Sequence, residues 1–315
     1  MNLRRIALLF VVLALALPAA DQGLIALLGP EAKLVAGMNI QQAMRSPFGQ
    51  RLLAEIKDDD ANFQKLLAET GFDPRRDLTE VVVGTVPSSQ GKESIVLVRG
   101  TFDPTRIARF LQAQGGVVST YKGVQILKSK DAKDNGAIAF PDATLAIAGT
   151  ETLVKAAIDR RASSKLSLDP AVATKVTEWS GRHDAWMVSA VGISDFGPFP
   201  QQGTAPNGFS VDAVKSANAG VRFGTIIEIS AEATMRSDKD AQALADVIRF
   251  VTGMLRLNQN PNNRPPEAVL SMIDKMQLST SGAVMTLQLS IPESDLEQLI
   301  NSGGARSKAP RAKAR

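Results

Sequence analysis

TIIEISAEATM, residues 225–235, sets Ile227, Ile229, Ala231, Ala233 and Met235 in one register and Glu228, Ser230, Glu232 and Thr234 in the other. Successive side chains of an extended chain point to opposite faces. The stretch therefore predicts a strand with one face buried and one in water, the pattern of an antiparallel sheet. MTLQLSI (285–291) repeats it, with Met285, Leu287, Leu289 and Ile291 alternating with Thr286, Gln288 and Ser290. EVVVGTV (80–86) and SIVLVRG (94–100) are more continuously apolar and predict a hairpin around PSSQGK, covered on both faces.

Helices interleave with these strands. Asp103 before Pro104 is an N-cap with proline at the first helical position; Ile107, Phe110 and Leu111 form the inward stripe and Gly115 ends it. Ser237 with Asp240 reads as a capping box ahead of a long helix in which Leu244, Ile248, Val251 and Leu255 share a face. TETLVKAAIDRR follows the strand ATLAIAG, as PESDLEQLI follows MTLQLSI.

Laid side by side, the two halves share an order of elements. Residues 33–39, 47–70, 80–86, 94–100, 104–114, 117–148 and 151–162 read strand, helical segment, strand, strand, helix, two or three strands, helix. Residues 184–191, 210–216, 218–223, 225–235, 238–257, 276–291 and 293–301 read strand, short helix, strand, strand, helix, strands, helix. Pro-Phe-x-Gln occurs in both halves, at 47–50 and 198–201. The expected fold is α+β: a tandem duplication of one unit, with helices packed on a largely antiparallel sheet. Chance likeness between two generic α+β stretches is the alternative.

The first twenty residues, MNLRRIALLFVVLALALPAA, stand apart from the fold. Arg4 and Arg5, the apolar run Ile6–Leu17 and the small residues Ala19 and Ala20 have the layout of a secretory signal peptide. A spanning helix needs about 20 apolar residues, more than this run supplies before Pro18 and Asp21; an uncleaved anchor is the competing reading. The expected organisation is leader 1–20, first unit 21–180, second unit 181–301 and a disordered basic tail 302–315. The expected location is periplasmic or extracellular.

Composition narrows the chemistry. The chain has no cysteine, which removes disulfides, thiolate nucleophiles and cysteine metal sites. Of the 36 Lys and Arg, two lie in the leader and five in ARSKAPRAKAR (305–315), which leaves 29 in the body against 32 acids. A body of that charge is not a nucleic-acid footprint. The tail is expected to have no fixed partner, or to touch an anionic membrane surface weakly.

Motifs for catalysis are sparse. His183 is the only histidine, with Asp184 beside it, and no G-x-S-x-G elbow supplies a serine; a polar residue at the entrance to a strand is the plainer reading. Ser89–Lys92 and Ser119–Lys122 match S-x-x-K, but both fall in hairpin turns where the lysine keeps its proton. DDDANFQKLLAE (58–69) has calcium-loop spacing at Asp58, Asp60, Asn62 and Glu69, yet Phe63 stands where that loop needs glycine. Acids at a helix start explain it better. No metal site, cofactor motif or catalytic set is expected. Candidate binding residues are Arg75 and Arg76 in FDPRRDL, able to hold an anion or to be neutralised by Asp73 and Asp77, and Phe196 and Phe199 in the Gly- and Pro-rich stretch 192–208.

LLGPEAKLVAGMNIQQAMRSPFGQ followed by GFDPRRDLTEVVVG resembles a group of secreted bacterial proteins of unassigned activity that share a signal peptide and the Ser-Pro-Phe-Gly-Gln bend. The resemblance covers residues 24–100. It implies export and carries over no catalytic residue. The expected function is that of an exported, non-enzymatic binding or structural protein. Its partner would be an envelope protein or polymer, met through a sheet face or residues 192–208. A hydrolase working with carboxylates alone and a carrier of an apolar ligand are the alternatives.

Overall fold

A computed structural model describes residues 20–54, 61–88, 91–130, 135–163, 166–192, 210–258 and 265–296. The chain divides into two units, Met1–Asn39 with Ala61–His183 and Ile40–Asp60 with Asp184–Arg315. In order run α1 (Gln22–Ile25), β1 (Leu34–Asn39), α2 (Ile40–Ala43), α3 (Pro47–Ala54), α4 (Ala61–Thr70), α5 (Pro74–Asp77), β2 (Leu78–Ser88) and β3 (Gly91–Gly100). Next come α6 (Pro104–Ala113), β4 (Val117–Tyr121), β5 (Val124–Lys128), β6 (Gly136–Asp142), β7 (Leu145–Thr150), α7 (Glu151–Ser163) and α8 (Pro170–Ser180). The second unit continues with β8 (Ala185–Ser189), β9 (Val214–Arg222), β10 (Ile226–Met235), α9 (Asp238–Leu257), α10 (Glu267–Lys275), β11 (Gln277–Ser281) and β12 (Val284–Pro292).

In the first unit the strands lie in the order β1-β2-β3-β7-β6-β5-β4, every pair antiparallel. Val82 pairs with Leu97, Leu97 with Ile147 and Ile147 with Ala139, so these residues share one face, and all four are fully buried. Helix α7 lies against β6 and β7 and buries Val154, Ala157 and Ile158. Helix α1 lies against β3, and Leu24, Ile25, Leu27 and Leu28 of this N-terminal segment are buried. A Cβ on Gly84 would sit 2.6 Å from Leu28 Cδ2, so the bare backbone at 84 is what seats Leu28. On the other face Val98, Ala146 and Phe140 pack with Ile107 and Leu111 of α6 and with Phe72 and Phe102. Both faces of the VVVGTV–SIVLVRG hairpin are therefore covered, which is why neither strand alternates cleanly between apolar and polar.

The second unit orders its strands β8-β9-β10-β12-β11, again all antiparallel. Ala217, Ala233 and Met285 lie in one row across the sheet, under α9. Ala241 and Ala245 are fully buried at that contact, where small side chains let the helix approach closely. Ser237 caps the helix as expected, its Oγ accepting the Asp240 N–H at 3.2 Å and donating to Asp240 Oδ2 at 2.8 Å. Over β10 and β12 the opposite face is polar, and on it Asn218 Nδ2 donates to Glu232 Oε1 at 3.1 Å; over β8 it carries the buried Trp186 and Val188.

The two units have a connection order in common. Three consecutive antiparallel strands lead into a helix, and the last strand returns antiparallel beside the third: β7 beside β3 in one unit, β12 beside β10 in the other. Between these points the first unit inserts the hairpin β4–β5, and the second has α10. Several boundaries differ from expectation. The stretch 117–148 holds four strands rather than two or three. Residues 210–216, expected as a short helix, contain only a 3-10 turn at Val211–Ala213, because Val214 is already paired with Met235 across a bulge. The helical stretch expected over 47–70 is α3 and α4, with 55–60 outside the described residues. Helix α8 has no counterpart among the expected elements; it is capped by Asp169, which accepts the Ala171 and Val172 N–H groups, and it buries Val172, Val176 and Trp179.

Candidate binding surface

Helix α9 is used unevenly along its 20 residues. In its first half Ala241 and Ala245 are buried, and Leu244, Val247 and Ile248 pack against the same core. The stripe that the sequence predicts from Leu244 to Leu255 then leaves the core. Val251 is exposed, and beside it Phe250, Met254 and Leu257 are 48%, 57% and 80% exposed. Phe250, Met254 and Leu257 recur at four- and three-residue spacing, which puts them on one side of the helix. A Cβ built on Gly253 would meet nothing within 4 Å, so that turn too is open. Nothing local stops the helix sooner: leucine, methionine and arginine favour it, and it ends only at Asn258, which leaves the helical conformation.

The charges around this apolar stretch are held by the protein itself. Arg249 Nη1 donates to Asp246 Oδ1 at 2.9 Å. Arg256 Nη2 lies 2.8 Å from Asp274 Oδ1 and donates to the Ile273 carbonyl at 3.2 Å, which ties α9 to α10. The result is an apolar centre with a neutralised polar margin. Fully burying one such side chain is worth about 1.5–3 kcal/mol. Clustered exposed groups of this kind mark interaction surfaces more often than single exposed ones do.

Of the residues singled out in the sequence, Phe196 and Phe199 lie outside the described residues. Arg75 and Arg76 lie in the single turn of α5. Arg75 Nε and Nη2 each donate to Asp73 at 3.0 Å, and Arg76 Nε and Nη2 donate to Asp77 at 2.7 and 2.8 Å. These bonds hold both carboxyls below the usual carboxylate range. The self-neutralised arrangement is the one the turn adopts.

His183 stacks on Trp179 with ring centres 4.9 Å apart, and its Nδ1 lies 3.0 Å from the Trp179 carbonyl; Asp184 Oδ2 accepts the Phe223 N–H at 2.7 Å. Lys122 stands in the two-residue turn between β4 and β5, with φ of 48° there and 81° at Gly123, the left-handed pair that such hairpins need. Its Nζ lies 2.6 Å from Asp159, which raises its pKa and keeps its proton. Ser89 and Asp58–Asp60 are outside the described residues, and the helix expected after Asp60 is present as α4.

Two open clefts lie in the first unit. One of about 350 Å³ is bordered by Leu111, Leu127 and Ile138, the other of about 540 Å³ by Ser88, Glu93, Asn135 and Thr150. Among the described residues Glu93 is the one carboxylate lining them. It accepts hydrogen bonds from Ser88 Oγ and Thr150 Oγ1, both 2.8 Å, which lower its pKa. Among the described residues no group of three His, Asp or Glu side chains is placed to hold a metal ion, and no helix is long and apolar enough to cross a membrane.

No family model matches the chain, and no characterised protein matches its sequence. Its backbone resembles two crystal forms of TP0453. Form III superposes with a TM-score of 0.52 at 10% identity, covering 88% of this chain and 97% of that one. Form IV gives 0.51 at 11% identity, covering 88% and 95%. At that identity the likeness is one of fold.

Proposed function

We propose that the chain is an exported, non-enzymatic binding protein whose second unit docks a protein partner on the distal half of α9. The observation that carries this reading is the exposure of Phe250, Val251, Met254 and Leu257 beyond the point where α9 leaves its own core. The choice of partner rests on charge. Arg249 and Arg256 are already matched by Asp246 and Asp274, so the margin offers little free positive charge to an anionic surface. An apolar centre with a polar rim is the anatomy of a protein interface.

A carboxylate-dependent hydrolase would need two carboxyls around a reacting bond, and among the described residues neither cleft described above is lined by a second one. Export is proposed on the leader-like residues 1–20, and descent from a doubled module on the shared connection order.

Site-specific photocrosslinking in an exporting cell tests the reading. A crosslinker at Met254 or Leu257 is expected to give one saturable adduct with a single protein, lost when Phe250→Asp is added and absent from a crosslinker at Lys239. Purified chain that instead floats with lipid vesicles and gives no protein adduct would overturn it. So would an adduct only with a second copy of itself.

A further inference from the structure

A bidentate contact anchors Asp21 in the first unit. The Asp21 nitrogen lies 3.1 Å from Glu80 Oε1 and 3.2 Å from Glu80 Oε2. Glu80 is paired across the β2–β3 ladder with Arg99, and Arg99 Nε lies 2.7 Å from Asp21 Oδ2. Asp21 also caps α1, its Oδ1 accepting the Gly23 N–H at 2.7 Å. The segment it opens is core: Leu24, Ile25, Leu27 and Leu28 are buried, Arg160 donates to the Leu27 carbonyl at 3.0 Å, and Ser167 Oγ donates to the Leu28 carbonyl at 2.9 Å. One residue of slippage at position 21 would disturb all of this.

A backbone amide has a single hydrogen and cannot serve two carboxylate oxygens well, whereas an ammonium has three. The charged groups facing Glu80 are the Asp21 carboxylate, which repels it, and Arg99, which attracts it but is bound to Asp21. In the uncut chain burial leaves Glu80 under-compensated, with its pKa pushed up to about 6.

We infer that the leader is removed between Ala20 and Asp21, and that the new α-ammonium of Asp21 forms a fixed ion pair with Glu80 that locks the mature N-terminus into the first unit. This rests on the proposal that residues 1–20 are a signal peptide. A leader-removing peptidase supplies the reaction: water adds across the Ala20–Asp21 peptide bond, the C–N bond breaks, Ala20 leaves as a carboxylate, and Asp21 keeps its nitrogen, protonated. Processing thus turns a poorly matched acceptor site into a matched one.

The pH dependence of stability separates the two forms by sign. With a neutral amide at 21, the Glu80 pKa is raised in the fold, so stability is fully present below the unfolded value of about 4.3 and is lost as pH rises through about 6. With the ammonium, Glu80 is lowered, and its contribution is present above the unfolded value and lost as pH falls. The amine is raised above its usual value of about 7.7–8.0, and its contribution is lost only at still higher pH.

Two measurements test this. Intact mass and N-terminal sequencing of the full chain, exported by a bacterial host, should give a mature protein that starts at Asp21. Independently of export, chains released from a cleavable fusion with Asp21 as a free amine, with Asp21 acetylated, or with Ala20 retained are unfolded in urea from pH 4.5 to 7.5. The free-amine chain should hold its stability over that range, where both partners are already charged, while the other two lose it. At pH 7 its unfolding constant should be about tenfold smaller, a one-unit pKa effect, and Glu80→Gln should abolish the difference. Identical profiles for the three chains would overturn the ion pair even if export cleaves at Asp21. A start at Ala20 or Gly23 would overturn the cleavage site. An uncut chain with distinct profiles would sink the export reading and leave the ion pair standing.

Discussion

The helix that follows the third strand is 10 residues long in the first unit and 20 in the second. Both begin alike, with a capping side chain that accepts a main-chain N–H two or three residues inside: Asp103 to Arg106 in α6, Ser237 to Asp240 in α9. They end differently. Past α6 the chain turns at Gly115, with φ of 94°, and the Gly116 N–H closes on the Leu111 carbonyl at 2.9 Å. A left-handed residue is the usual stop, and glycine adopts it without a side-chain clash. Helix α9 meets no such stop and runs past its core with its apolar residues uncovered. A helix cut to the length of its contact is structural; one that outruns it has surface to spare.

The largest effect should come from α6. Ile107→Ala removes a buried side chain from the cluster with Phe102 and Ala146 and should cost about 2–5 kcal/mol, read by urea unfolding. If Phe250→Ala cost as much, the two helices would not differ in the way described. The caps come next: Asp103→Ala and Ser237→Ala should each cost about 1 kcal/mol, because the two starts are equivalent. A loss at Asp103 alone would break the parallel.

Smaller again is an acid-side effect confined to the first unit. Asp73 and Asp77 have lowered pKa values, chiefly through Arg75 and Arg76 respectively. Their contribution is therefore present above the unfolded value of about 3.9 and is lost as pH falls through their lower folded values. Asp77→Asn should flatten the fall in unfolding midpoint below pH 4. The smallest effect is expected where exposure is greatest: Phe250→Ser and Leu257→Ser should shift stability by no more than about 0.5 kcal/mol while abolishing the crosslink from Met254.

Much of the fold was legible because its signals are local. Alternation at 227–235 and 285–291 announced β10 and β12, and Asp103-Pro104 and Ser237 announced the starts of α6 and α9. What escaped depends on what lies opposite. Val214 has no strong strand signal of its own and is extended because Met235 pairs with it. Leu24, Ile25, Leu27 and Leu28 precede the first expected strand and carry no element of their own in the expected order, yet they are buried, Leu28 in the room that Gly84 leaves. The candidate surface was half legible. Phe250, Met254 and Leu257 widen the apolar stripe of α9 beyond what one contact face needs, but only the folded chain puts that excess in water. Glu80 gave no sign at all, since its environment is made by Asp21 and Arg99 from distant parts of the chain.

The distal half of α9 is proposed to be bare in the protein alone and covered in its working state. Hydroxyl-radical footprinting measures this directly. Phe250, Met254 and Leu257 should oxidise readily in the purified chain, and more slowly in the intact envelope than an exposed reference such as Leu166, which is 52% exposed. Protection of those three residues already present in the purified chain would mean that the protein covers its own surface and would contradict the account.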